Sequence, residues 1–336
     1  MSSASKTLTA TRLALGLALA LAAACGSDPD PVELDAARPT DGGDGPIDAD
    51  HGGAIDADNG GGIDADHGGA IDGGGVDGGA GGTLTFLTYN VHGLPSIVTG
   101  DDTTARITAI APLLNRFDVV GLQEDFIVEN HTILEDASTH TLETWFSAIE
   151  STQVYGSGLS VFANLAEVEI YTEWYTACNG LFDAGSDCLS SKGFHMVRVQ
   201  IAPGVEVDLY NTHLDAGGGA ADDAAREIQV DQLIASITTR SAGRAIVFSG
   251  DTNLDEDDPD EGPLLARFLS EAGLSDSCDA VSCAEPGHID RVLFRESSSV
   301  GLTVVAWTNE PAFFDSGGTP LSDHPALSVR FAWTRR

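Results

Sequence analysis

Lysine is nearly missing from this chain. Lys6 and Lys192 are the only two in 336 residues, and the 14 arginines face 52 acidic residues, for a formal net charge of −36. A chain so acidic repels polyanions, and nucleic-acid binding needs a basic footprint that is not visible here. Nucleic acid is therefore not expected as a partner. Long apolar runs are missing too. Leu13 to Ala24 is a run of twelve, too few for the roughly 20 residues a membrane-spanning helix needs. No CxxC spacing occurs, so a cysteine-ligated structural zinc is not indicated.

What is present divides the chain in three. Residues 1–25 read as an export signal: Lys6 and Arg12 precede the short apolar run, which ends in small residues at Cys25. Cysteine directly after "LAAA" resembles a bacterial lipoprotein signal, with Cys25 as the acylated terminus; Ala22 stands where that signal usually carries Leu. An ordinary cleaved signal is the alternative. Residues 26–82 are rich in Gly, Asp and Ala. Ile47, Ile55, Ile63 and Ile71 recur every eight residues in "IDADHGGA IDADNGGG IDADHGGA". Such a segment buries too little apolar area to offset chain ordering, and it reads as a disordered acidic linker. Weak calcium binding is an alternative, but the period is not the calcium-binding nonapeptide. The simplest expectation is a membrane-anchored protein facing the periplasm or cell surface.

Residues 83–336 form the one expected domain, with 38 acidic and 13 basic residues. Helices are expected around Ile107, Ile110, Ala111 and Leu114, and around Val230, Leu233, Ile234 and Ile237, from their 3.6-residue period. Strands are expected at 84–91, 118–124, 157–163, 195–202, 205–214, 244–253, 288–294, 302–307 and 324–331. This mixture implies an α+β sandwich with sheets inside and helices outside. Setting Cys25 aside, four cysteines remain. Neighbours pair most simply, as Cys178–Cys188 and Cys278–Cys283, although sequence alone allows three pairings.

Polar residues gather where apolar strands end or begin: Asn90, Glu124, Asn211, His213, Asp251, Asn253, Asp290, Asp323 and His324. Singly, each is a common turn former. Together, on facing sheets, they would meet on one rim. Carboxylates, amides and two histidines there suit an oxygen-ligated cation and phosphoryl transfer.

"TYNVHGLP", "GLQED", "YNTHLDAG", "SGDTNL", "HIDRVLF" and "LSDHPALSV" occur in the order of the endonuclease/exonuclease/phosphatase superfamily, which this chain resembles over 84–332. "DCLSSKGFHMVRV" followed by "NTHLDA" resembles the neutral sphingomyelinase branch, with Asp187 and Lys192 as its Asp–x4–Lys–Gly element. The resemblance implies a four-layer αββα sandwich of two packed, mostly antiparallel sheets. It implies Glu124 as principal Mg²⁺ ligand with Asn90 and Asp323 nearby, Mn²⁺ or Co²⁺ being possible substitutes. Asp251 and Asn253 would position water and a phosphate oxygen. His213 and His324 would stabilise phosphoryl charge and move protons, with Asp290 orienting His324; which is acid and which is base stays open. Lys192, held by Asp187, would face the phosphate. A monomer acting on a phospholipid or other small phosphodiester is expected.

Three departures stand out. Asp215 replaces a common Gln. "VFANLAEV" (161–168) lacks the usual Ser–Arg or Ser–Lys, which speaks against a nuclease. No long aromatic hairpin is evident between Asn253 and Asp290. The competing readings are a phosphatase or nuclease of the same fold, and a non-catalytic binding module.

Overall fold

The computed structural model describes residues 81–150, 152–181, 184–283, 285 and 287–336. The expected signal, Cys25 and nearly all of the linker lie outside these residues.

Twelve strands form two six-stranded sheets. The first holds β1 (Gly81–Asn90), β2 (Val119–Gln123), β3 (Leu142–Phe146), β4 (Leu159–Ala163), β11 (Val300–Asn309) and β12 (Leu327–Arg335), in the order β11-β12-β1-β2-β4-β3. The second holds β5 (Ala166–Trp174), β6 (Gly193–Ala202), β7 (Val205–His213), β8 (Ala245–Asp251), β9 (Ser275–Asp276) and β10 (Asp290–Arg295), in the order β5-β6-β7-β8-β10-β9. Each sheet has one parallel pair at its centre, β1 with β2 and β7 with β8; every other pairing is antiparallel. The described helices are α1 (Ser96–Thr99), α2 (Thr103–Leu114), α3 (Val128–Ala137), α4 (Ala220–Arg240), α5 (Glu261–Ala272) and α6 (Ser277–Val281).

The layers follow from side-chain alternation along the strands. Phe86, Val119, Val197, Val207, Val247, Val292 and Phe331 fill the space between the sheets. Their neighbours point outward: Leu87, Tyr89, Val120 and Leu122 pack against Ile107, Ile110 and Leu134 of α2 and α3. On the other side Phe194, Tyr210 and Phe248 pack against Val230, Leu233 and Ile237 of α4 and Phe268 of α5. The central strands are thus buried on both faces, which is why "VVGL" and "AIVF" read as unbroken apolar runs.

Helix starts are set locally. Asp102 caps α2 by accepting from the Ala105 N–H at 3.0 Å. Asp222 of α4 reaches back to the Gly219 N–H at 3.0 Å, and Asp222 and Asp223 place negative charge in the first turn. Disulfides join Cys178 to Cys188 and Cys278 to Cys283. The segment from Asn253 to Asp290 carries α5, β9 and α6.

Candidate active site

The sheets are locked together beneath the site by amides. Asn211 Nδ2 donates to the Leu122 and Ser160 carbonyls at 2.8 and 3.0 Å, and Gln123 Nε2 donates to Asn211 Oδ1 at 2.7 Å. Gly121 makes room for this, since a Cβ there would lie 2.4 Å from Ser249 Oγ. Asn211 is therefore a fully buried clamp between the sheets.

The rim lies at the C-terminal ends of the parallel pairs. Asn90 closes β1, and its Nδ2 donates to Glu124 Oε1 and Asp251 Oδ2, each at 3.1 Å. One side chain thus joins the ends of β2 and β8. Glu124 follows β2 with φ of 61°, His92 has φ of 48° and Asn253 has φ of 46°. Left-handed backbone at non-glycine residues is uncommon and costs on the order of 1–3 kcal/mol each; it gathers at functional sites. Gly93 permits the rim loops to touch, because a Cβ would lie 2.3 Å from the Glu124 carbonyl oxygen.

His213 Nε2 lies 3.5 Å and His324 Nε2 lies 3.7 Å from Asp251 Oδ2. The two rings differ in charge. Burial, followed by the nearby Lys192 charge, pushes His213 down to about 3, so it is neutral at physiological pH. Burial also works against charge on His324, but Asp290 and then Asp251 outweigh it and hold the ring well above its usual value. Asp290 Oδ2 contacts His324 Nδ1 at 2.8 Å. Burial pushes Asp290 up to about 6 despite the pull of His324. Asp251 moves the other way: its burial is outweighed by His324, His213, Asn90 and Lys192, which favour the carboxylate. Asn253 N donates to Asp251 Oδ1 at 3.1 Å, and Asn253 Nδ2 donates to the Leu214 carbonyl at 3.1 Å.

Lys192 lies inside the protein, 5% exposed. Its Nζ pairs with Asp187 Oδ1 and donates to the Leu214 carbonyl at 2.6 Å, the same oxygen that Asn253 uses. Asp187 also accepts from the Ala216 N–H at 2.9 Å. Burial pushes the Asp187 carboxyl up, while Lys192 pulls it down and Asp215 raises it. Burial opposes the charge on Lys192, but Asp187, Asp215 and Asp251 raise it. The lysine is charged, with Asp187 paired to its ammonium and Asp215 and Asp251 adding to the surrounding negative field. The lysine's charge thus reaches Asp251 and His213, and the shared Leu214 carbonyl ties it to Asn253.

Asp323 sits at the outer edge, with its side chain 38% exposed. His92, which sequence reasoning left without a role, bridges the gap: its Nδ1 is 3.1 Å from Asp323 Oδ2 and 3.8 Å from Glu124 Oε2. Its place inside "TYNVHGLP", two residues after Asn90, was the available signal. Arg106 was also missed. It donates to the carbonyls of Val91 and Leu321 at 3.2 and 3.0 Å and of His92 at 2.8 Å, tying two rim loops together. Nothing distinguishes it in the sequence from a surface arginine of α2. Asp215, noted only as a departure, proves fully buried and is held by Gln229 Nε2 and the Asn179 N–H, each at 2.7 Å.

Asn90, Glu124 and Asp323 supply a donor set of oxygens with carboxylates predominating, which fits a hard divalent cation such as Mg²⁺. Asp251, Asp290 and His324 also lie close enough to share an ion, their ligand atoms falling within 4.8 Å of one another.

Residues 87–324 match the model of the Endonuclease/Exonuclease/phosphatase family. The chain belongs to that family. Among its relatives are the sphingomyelinases of Mycobacterium bovis and Mycobacterium tuberculosis, each 29% identical over 275 residues, or 74% of this chain. The matched part is 53% of those relatives, so the chain spans about half the length of the curated relatives it matches. Among solved structures, Sphingomyelinase C from Streptomyces griseocarneus aligns with a TM-score of 0.57 and 21% identity, over 74% of this chain and 99% of that one. A mutant beta toxin from Staphylococcus aureus with bound magnesium ions aligns with a TM-score of 0.57 and 15% identity, over 74% and 99%. TDP2 from D. rerio, complexed with single strand DNA product, aligns with a TM-score of 0.54 and 16% identity, over 74% and 98%. These structures share the family's two-sheet sandwich with this chain.

Proposed function

We propose that this chain is an exported, Mg²⁺-dependent phosphodiesterase that hydrolyses a phospholipid of the sphingomyelin kind and releases its phosphorylated headgroup. The observation that carries the reading is the meeting of two sets of groups through Asn90. The oxygen donors of the first sheet lie on one side, and Asp251 with one neutral and one charged histidine lies on the other. The sphingomyelinase relatives and the Asp187–Lys192 element support the choice of lipid.

A cation bound by Glu124, Asn90 and Asp323 would supply Lewis-acid stabilisation of phosphoryl charge, with Mn²⁺ or Co²⁺ as possible replacements for Mg²⁺. The protein's own groups do the rest. Asp251 is ionised and takes a proton from the attacking water, held in place by Asn90 and the Asn253 N–H. The water oxygen bonds to phosphorus as the bond to the leaving oxygen breaks. His324, protonated and oriented by Asp290, gives its Nε2 proton to that oxygen. Neutral His213 donates a hydrogen bond to a non-bridging oxygen, and Lys192 sets the field behind both.

The acidic surface disfavours nucleic acid. Export is supported by the two disulfides, which persist in oxidising compartments. Attachment is proposed through Cys25, on the resemblance of the start of the chain to a lipoprotein signal, and a monomer is the proposed working form; no helix among the described residues is long and apolar enough to cross a membrane. The test is a panel of sphingomyelin, phosphatidylcholine, a phosphomonoester and plasmid DNA, with Mg²⁺ or with chelator. Mg²⁺-dependent release of phosphocholine from sphingomyelin is expected. Cleavage of the monoester or DNA alone would assign the same site to another phosphoester, and no cleavage of any would favour a binding module.

A further inference from the structure

A second cluster of metal-ligating groups lies on the outer side of the first sheet, between α3 and edge strand β3. His131 and Glu135 are one helical turn apart on α3 and share a face. Glu143 stands on β3, two residues before Trp145, so both side chains leave the strand on the same side. One ligand atom from each of His131, Glu135 and Glu143 lies within 4.8 Å of the others.

The histidine is prepared rather than incidental. Its side chain is 92% buried, its ring stacks on Trp145 with centroids 4.1 Å apart, and its Nδ1 meets Asp125 Oδ2 at 2.5 Å. Asp125 is itself fixed by Ser160 Oγ. With Nδ1 turned to the buried Asp125 carboxylate, Nε2 is the ring nitrogen left to face the glutamates. Among the described residues Nε2 has no hydrogen-bond partner. It faces Glu143 Oε1 at 3.7 Å, a buried oxygen that is also without one. Burial opposes charge on His131, but Asp125, Glu143 and Glu135 outweigh it and raise the ring above its usual value, so in the empty site a proton on Nε2 stands where a cation would. The separation is close to the roughly 3.4 Å between two ligands of a tetrahedral ion bound at about 2.1 Å. A carboxylate behind a ligating imidazole is the usual support of a zinc-type site.

We propose that His131, Glu135 and Glu143 bind a divalent first-row transition-metal cation of the Zn²⁺ class, with Asp125 orienting the imidazole. The imidazole selects such an ion over Mg²⁺, and the partly exposed glutamates leave room for water as a further ligand. The site is separate from the one proposed for Glu124.

The test uses the full chain, stripped with chelator, exchanged into metal-free buffer and titrated with Zn²⁺ by calorimetry in excess Mg²⁺. One Zn²⁺ should bind, and it should still bind in Glu124→Gln. Glu143→Gln should weaken binding at least tenfold, Glu135→Gln should weaken it measurably, and Asp125→Asn should weaken it about 10–100-fold. Bound Zn²⁺ should raise the melting temperature of wild type but not of Glu143→Gln. Co²⁺ should give a visible spectrum that Glu143→Gln alters. The two glutamates face solvent enough for their variants to fold, which circular dichroism checks. Zn²⁺ binding that is absent from wild type, or that Glu143→Gln and Glu135→Gln leave unchanged, would overturn the site. A His131 that stays protonated when Zn²⁺ is added would overturn it too, making the cluster a plain ion pair.

Discussion

The two sheets repeat one plan and divide the work differently. Each centres on a parallel pair flanked by two antiparallel strands on either side. In the first sheet that pair ends in Asn90 and Glu124, amide and carboxylate oxygens suited to a cation. In the second it ends in His213 and Asp251, groups suited to holding water and moving protons. The same backbone thus delivers different chemistry to one rim, and Asn90 spans the join. Fold and function are separable here, because strand ends are fixed by packing between the sheets while the residue after each end is free to differ. The two histidines make the point within the second half. Both sit near Asp251 Oδ2, but Asp290 stands behind only His324 while burial and the Lys192 charge bear on His213, and these surroundings separate an imidazolium from a neutral ring.

Several substitutions should break this division unequally. The largest effect is expected from Glu124→Gln, which removes the charge proposed to hold the cation. A Lewis-acid contribution of several kcal/mol corresponds to a loss of about 10³-fold in turnover. Next, Asp251→Ala and His324→Ala should each lower turnover by about 10²-fold or more in steady-state assays with the fold intact. Their double variant should lose little beyond either single one if they act as a unit. Asp290→Asn should follow His324→Ala in direction, by removing what keeps that ring charged.

Lys192→Ala should lower turnover by about tenfold and also destabilise. It leaves Asp187 buried without its cation, at a cost of about 3–5 kcal/mol by urea unfolding. Lys192→Met with Asp187→Leu should recover stability but not turnover, which would separate the lysine's structural part from its electrostatic one.

The smallest effect concerns a histidine outside the comparison. His195 on β6 is 1% exposed, neither ring nitrogen has a hydrogen bond among the described residues, and burial pushes it down to about 4. The unfolded chain takes up this proton near pH 6.5, whereas the folded chain resists until about 4. Stability tied to His195 is therefore complete above pH 6.5 and falls as pH drops toward 4, by about 3 kcal/mol in all. His195→Met should flatten that part of the stability–pH curve. An unchanged curve would mean that His195 finds a partner in solution.

Much of this was legible because the central strands are buried on both faces and read as unbroken apolar runs ending in polar residues. β3 and β5 were not: they are edge strands, and β5 is largely solvent-facing, so it lacks the apolar pattern. Helix α5 hid its face in only Leu265, Phe268 and Ala272. Within the site, Asn90, Glu124, His213, Asp251, Asn253, Asp290 and His324 do converge, with Asp323 at the edge. Asn211 looked the same in sequence and shares a strand face with His213 two residues on, but it stands deeper between the sheets, against Gln123 and the Leu122 and Ser160 carbonyls. The interior position of Lys192 was not legible either, since beyond its pair with Asp187 it depends on the Leu214 carbonyl and on Asp215 and Asp251, brought from the loop after β7 and from β8. His92 and Arg106 depend in the same way on loops meeting across the rim.

The division of labour between the sheets is tested most directly by measuring turnover against Mg²⁺ concentration for wild type, Glu124→Gln and His324→Gln side by side. Glu124→Gln should require at least tenfold more Mg²⁺ to reach half of its plateau. His324→Gln should keep the wild-type Mg²⁺ requirement and lose only plateau rate. Equal shifts in both variants, or a shifted Mg²⁺ requirement in His324→Gln alone, would contradict the assignment of the cation to the first sheet and of proton transfer to the second.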